Sequence, residues 1–206
     1  EWDWIKLDIA LIKSSQSNGT ITDEKLRSLM EGMPMMKNWR LLINGLLDDG
    51  AKVAIVSGGL QQTAKDIAAQ FPSSKPWSRR WGGIDRFTAG RFGKGYDSKL
   101  SVFTNGWLRG KRDSKGNYEV DDFGRYQVQM NGKGAIVKML QRRYGISKDK
   151  TASVGDSAGD IGMFQESALA ICFNPWDKKP LEYCDEVVEQ KDLAIVLDKI
   201  TTKFSK

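Results

Sequence analysis

Apolar positions along the chain change period several times, and each change marks an element. Between Met36 and Gly50, residues Trp39, Leu42, Ile43, Leu46 and Leu47 recur at helical spacing, and Gly50 supplies a C-terminal stop. Asp23 to Gly32 and Gly134 to Tyr144 carry the same period, the second closed by Gly145. Lys52 to Val56 is instead a short β-branched run bounded by Ser57-Gly58-Gly59, which predicts a buried strand of the parallel type. Leu60 to Phe71 then reads as helix. The run ending at Gly155, Leu169 to Phe173 and a stretch near Val187-Val188 predict further strands. Helices are expected up to Glu166 and from Asp192 onward. Strands alternating with helices predict an α/β fold, a Rossmann-like parallel sheet with helices on both faces. From Ser74 to Met130 the helical period is lost and Gly is frequent. That segment predicts a β-hairpin insertion, with Ser114-Lys115-Gly116-Asn117 as a turn.

Composition narrows the chemistry. The 206 residues contain no His, which removes imidazole bases, Ser-His-Asp triads and His metal sites. The two cysteines, Cys172 and Cys184, read as core thiols of a reducing compartment, a single disulfide being the alternative. No apolar run approaches the roughly 20 residues needed to span a bilayer, and no signal peptide is present, so a cytoplasmic protein without membrane contact is expected. Carboxylate, lysine, hydroxyl and a hard metal remain for catalysis.

The net charge of +6 is concentrated between Ser74 and Gly116, where eleven basic residues face three acidic ones. Trp77, Trp81, Phe87, Phe92, Tyr96, Phe103 and Trp107 are interleaved with them. Such a segment can bind a nucleic acid strand by stacking and neutralisation. It can also steer a small anionic substrate. The plainer alternative is a set of solvated hairpins whose aromatics pack inward.

Three short stretches carry candidate chemistry. Thr151 to Asp160 reads as a strand ending in Asp156, with Asp160 four residues on across a small-residue turn. A carboxylate leaving the carboxyl end of such a strand sits where α/β sheets bind ligands, and two of them suit a hard cation such as Mg2+. Ser57-Gly58-Gly59 places a hydroxyl beside glycines whose N–H groups can meet a phosphate oxygen. Lys133, between glycines in Asn131-Gly132-Lys133-Gly134, stands at a helix N-terminus where its ammonium can neutralise a phosphoryl group. Taken singly, each has an ordinary alternative: an Asp cap, a capping Ser, a surface lysine.

In this order, Ser57-Gly58-Gly59, Lys133 and Gly155-Asp156-Ser157-Ala158-Gly159-Asp160 resemble the second, third and fourth motifs of the haloacid dehalogenase superfamily, closest to its phosphoserine-phosphatase-like branch. The resemblance extends to Met33-Pro34-Met35 through Gly50, to Ala168 through Pro175 and to the closing helix after Glu189-Gln190-Lys191. It implies a Mg2+-dependent phosphatase acting on a small phosphorylated substrate. Asp156 would bind the metal, and Asp160 would support that site or hold Lys133. Ser57 and the Gly58 amide would grip the phosphoryl group, and Lys133 would offset its charge, a division of labour that fits phosphoryl transfer. The expected domains are a helical cap remnant with its connection over residues 1–32, and a core over 33–206 with the basic insertion at about 74–130.

The front of the chain departs from the pattern. The family's nucleophile opens an Asp-x-Asp motif at the end of its first strand, and no Asp-x-Asp occurs in these residues. Aligning Trp4 to Ile12 with that motif would put Lys6 at the nucleophile, and lysine cannot form the aspartyl-phosphate. The register favoured instead takes Asp3 to Lys13 as the last helix of the family's cap. The nucleophile strand would then come from an N-terminal segment before Glu1 or from another chain. Ile5, Leu7, Ile9 and Leu11 also alternate, so a replacement strand is the competing expectation. Two other functions stay open here. One is an inactive relative that binds through this fold; the other is a nucleic-acid-binding module using residues 74–116.

Overall fold

The computed structural model describes residues 2–31, 33–60, 63–64, 66–67, 70–71 and 100–205. Most of the helix expected over Leu60 to Phe71 lies outside them, as does the stretch from Ser74 to Lys99 with Arg79, Arg80, Trp77 and Trp81. Two compact units are present: Glu1–Pro34 with Ala54–Val128, and Met35–Val53 with Gln129–Lys206.

The first unit holds α1 (Trp2–Ser14), α2 (Asp23–Met30), β1 (Val53–Leu60), β2 (Leu100–Arg112) and β3 (Tyr118–Arg125), with sheet order β1-β2-β3. The alternation at the front resolves as a helix, because Ile5 and Ile9 stand four apart on one buried face while Leu7 and Leu11 are exposed. Those isoleucines pack with Ile21, Leu26, Trp107 and Val120. β2 and β3 form the antiparallel hairpin that the Gly-rich pattern predicts. Its turn is organised by Asp113, whose carboxylate accepts from the N–H groups of Lys115 and Asn117 at 2.9 and 2.8 Å. Phe103 and Trp107 from the basic segment are both buried, Trp107 within this core.

One element differs from its sequence pattern. β1 does not stop at Val56 but continues through Ser57-Gly58-Gly59, and its residues 53 to 57 are only partly buried or exposed. Its neighbour is β2, whose Asn105 holds the Gly58 carbonyl, so the Ser-Gly-Gly stretch stays extended instead of turning.

The second unit is a parallel sheet of order β4 (Ala152–Gly155), β5 (Leu169–Phe173), β6 (Glu186–Val188). Its helices are α3 (Trp39–Asp48), α4 (Lys133–Tyr144), a short α5 (Ile161–Phe164) and α6 (Leu193–Phe204). Every residue of β5 is buried, and the strand's period of two divides them. Leu169, Ile171 and Phe173 pack with Leu42 of α3 and with Val196, Ile200 and Phe204 of α6. Ala170 and Cys172 face the other way, against Phe164 of α5 and Cys184. Helices thus cover both faces, as the sequence predicts. Both cysteines are free thiols, and burial, reinforced by the neighbouring Cys184, pushes the Cys172 thiol up to about 12.

Boundary chemistry also follows the sequence. Gly145 ends α4 in the left-handed region at φ 63°, where its N–H donates to the Gln141 carbonyl. Asp192 caps α6 through the Ala194 N–H at 3.0 Å and also takes Lys37 Nζ at 2.6 Å and Asn38 Nδ2 at 2.7 Å. Lys37, with these hydrogen bonds, pulls the Asp192 carboxyl down to about 2. No described helix is long and apolar enough to cross a membrane.

Candidate active site

The carboxyl end of β4 builds the site. The strand ends at Gly155, Asp156 follows, and a single 3-10 turn over Ala158–Asp160 leads into α5. Asp160 is the keystone of that turn. Its Oδ2 accepts from the N–H groups of Asp156 (3.0 Å) and Ser157 (3.1 Å) and from the Ser157 hydroxyl (3.1 Å). Its Oδ1 accepts from Lys133 Nζ at 2.6 Å. The pair is well removed from water, with side-chain exposures of 3% for Asp160 and 13% for Lys133. A glycine precedes the turn for a steric reason. A Cβ on Gly155 would lie 2.4 Å from both Cβ and Cγ of Asp160, so only a residue without a side chain lets that carboxylate fold over the strand end.

Lys133 is the first residue of α4, so Lys133, Asp156 and Asp160 all come together in the second unit. Burial works against the charged form of Asp160, but the Lys133 ammonium and the two backbone N–H groups more than offset it and hold the carboxyl below its ordinary value. Asp156 moves the opposite way. Burial raises it, the neighbouring Asp160 charge raises it further, and Lys133 compensates only in part. Among the described residues the Asp156 side chain has no ion pair, whereas both oxygens of Asp160 are engaged. A carboxylate that reaches the surface, yet is partly desolvated and pressed by a like charge, is the donor here that a hard cation would satisfy. No group of three metal-ligating side chains gathers among the described residues.

Ser57 and Gly58 lie in β1 of the first unit. The Ser57 hydroxyl accepts from the Gly59 N–H at 3.1 Å, and the Gly58 carbonyl accepts from Asn105. Two supporting residues, one in each unit, escape the sequence pattern. Asp177 accepts from the Ala158 N–H at 3.0 Å and so anchors the turn from the loop after β5, where Trp176 N also donates to the Asp156 carbonyl. Its one local signal is its place after Asn174-Pro175, where Asn174 has φ 47°. Asn105, in mid-strand, carries none.

A family model described as haloacid dehalogenase-like hydrolase matches residues 127–200, the segment that contains Lys133, Asp156 and Asp160. A phosphoserine phosphatase of Methanocaldococcus jannaschii is 28% identical over 179 residues, covering 86% of this chain and 69% of the relative. Another from Wolinella succinogenes is 29% identical over 119 residues, which is 49% of this chain and 56% of the relative. The solved structure of an apo phosphoserine phosphatase superposes with a TM-score of 0.66 at 22% identity, covering 96% of this chain and 80% of that one. Sheet, turn and family match agree over one segment: residues 127–200, which hold Lys133, Asp156 and Asp160, are haloacid dehalogenase-like, and the fold is that of the solved phosphatase. Both sequence relatives are phosphoserine phosphatases, so the chain is similar to that branch.

Proposed function

We propose that this chain carries the cation and phosphoryl-binding parts of a Mg2+-dependent phosphatase for a small phosphate monoester. The observation that carries this reading is the Lys133–Asp160 ion pair at 2.6 Å beside a second carboxylate, Asp156, with no ion pair of its own among the described residues. Asp156 would hold the Mg2+ ion, which when bound supplies positive charge to the phosphoryl oxygens. Asp160 would act from behind, since both of its oxygens are occupied in holding Lys133 and the Asp156–Ser157 backbone. Lys133, fixed by that pair, would present its ammonium to the phosphoryl group without the entropy cost of a loose side chain. Ser57 and the Gly58 amide would donate to its remaining oxygens.

The nucleophilic carboxylate is assigned to a strand outside these residues, because no Asp-x-Asp occurs among them. In support, β4 is the end strand of its sheet among the described residues, so one edge has ladder groups available to such a strand. On this reading α1 and α2 belong to the family's helical cap. The free thiols fit a cytoplasmic setting.

The test is hydrolysis of a chromogenic aryl phosphate, with Mg2+ present, by the protein as isolated from its source. Turnover is expected, and Asp156→Asn should lower it by about 10²-fold or more, the scale of losing one transition-state charge contact. Absence of turnover in the unaltered protein, or full turnover in the variant, would refute the assignment.

A further inference from the structure

Asn105 sits in the middle of β2, is 3% exposed, and makes four hydrogen bonds through its amide. Its Oδ1 accepts from the N–H groups of Gln127 (2.7 Å) and Val128 (2.8 Å). Its Nδ2 donates to the carbonyls of Val128 (3.1 Å) and Gly58 (2.9 Å). Two donors and two acceptors surround it, so the amide has one orientation, because a flip would oppose like to like at all four contacts.

The Gly58 contact reaches further than its own length. The peptide joining Gly58 to Gly59 is planar, so fixing the carbonyl on one side fixes the N–H on the other. That Gly59 N–H donates to Ser57 Oγ at 3.1 Å. A hydroxyl has one proton to give and two lone pairs to receive, and here one lone pair is already taken. The oxygen is thereby held in place, and its proton is left to be donated to another acceptor. An aspartate at position 105 would keep the oxygen that faces the N–H groups of Gln127 and Val128 but turn an acceptor toward the carbonyls of Gly58 and Val128.

We propose that Asn105 is a positioning residue for the phosphoryl grip. Through the Gly58–Gly59 peptide it sets the Ser57 hydroxyl as a donor toward a phosphate oxygen, while touching no substrate itself. This rests on reading Ser57 as a phosphate-binding group. An alternative role, merely pinning β2 to residues 127–128, would use the same side chain without reaching Ser57.

The experiment is calorimetric titration of the protein as isolated, with Mg2+ present, using inorganic phosphate as the probe. The variants are Asn105→Asp, Asn105→Ser, Ser57→Ala, the Asn105→Asp/Ser57→Ala pair, and Val120→Ala as a control that thins the core of the same unit. Asn105→Asp and Ser57→Ala should each weaken phosphate binding about tenfold, the scale of one hydrogen bond to a charged group. Asn105→Ser, which keeps a shorter donor and is the gentler change, should fall between them and the unaltered protein. The decisive result is non-additivity: the pair should bind no more weakly than Ser57→Ala alone, because both act through one hydroxyl. Val120→Ala should lower the melting temperature and leave the affinity alone. If Ser57→Ala weakens binding while both Asn105 variants stay within about twofold, or if the losses add in the pair, the positioning role is overturned and the phosphate role of Ser57 stands. If Ser57→Ala itself changes nothing, the functional reading fails first.

Discussion

Asp160→Ala is expected to destabilise the chain by about 3–5 kcal/mol, the range for removing one partner of a buried ion pair. The variant would leave the Lys133 ammonium at 13% exposure without its carboxylate, and would release the N–H groups of Asp156 and Ser157 and the Ser157 hydroxyl. Urea titration reads the loss as a fall in midpoint at unchanged slope. Asp160→Asn should cost less, since an amide oxygen still accepts from the backbone. Adding Lys133→Met to it should recover part of the loss, because the uncompensated buried charge is then gone. A loss below about 1 kcal/mol for Asp160→Ala would mean that water replaces the carboxylate and that the turn does not depend on it.

The second large effect is expected in the first unit, at Asp23. This carboxylate is 1% exposed and receives Trp107 Nε1 at 2.6 Å, Arg109 Nε at 2.9 Å and Nη2 at 2.7 Å, and Arg27 Nε at 3.1 Å. Asp23→Ala should therefore cost about 3–5 kcal/mol, by stranding an indole N–H in the core and two guanidinium groups at its margin. Burial opposes the charge of Asp23, yet the hydrogen bonds from Arg27, Trp107 and Arg109 outweigh it and leave its pKa below the ordinary value. A depressed folded pKa fixes the sign of the pH dependence. The stabilisation is fully present above the unfolded value of about 3.9 and is lost as pH falls through the folded one. The advantage of the unaltered protein over Asp23→Asn, measured by thermal melts from pH 7 downward, should hold to about pH 4 and then shrink. A constant difference down to the lowest pH would show that Asp23 is not charged in the folded state.

Much of the second unit was legible in the sequence because its signals are local. The β-branched and apolar runs at Thr151–Gly155 and Leu169–Phe173 give strands whatever surrounds them, and Gly145 and Asp192 cap helices within a few residues. Asp156, Asp160 and Lys133 stood out for the same reason, each at the end of a predictable element. What escaped depends on partners far along the chain. Trp107 meets Asp23 across 84 positions, and Asn105 meets Gly58 across 47, so neither leaves a trace in any short window. Glycines usually end a strand, so the pattern bounds β1 at Ser57-Gly58-Gly59. Strand pairing with β2 overrides that tendency. At the front, a period of two and a period near four both fit Ile5 and Ile9, and burial of that pair on a helix decides between them.

The inward-facing thiol of β5 gives the protein an internal clock. Only thiolate attacks alkylating reagents, and a thiol held near 12 in a fully buried strand is almost entirely protonated at neutral pH. Cys184, partly exposed in the loop before β6, should label promptly, whereas Cys172 must wait for β5 to separate from α5. In a mass-resolved labelling time course, the second adduct should therefore appear at the opening rate of the parallel sheet, and denaturant should accelerate it far more than the first.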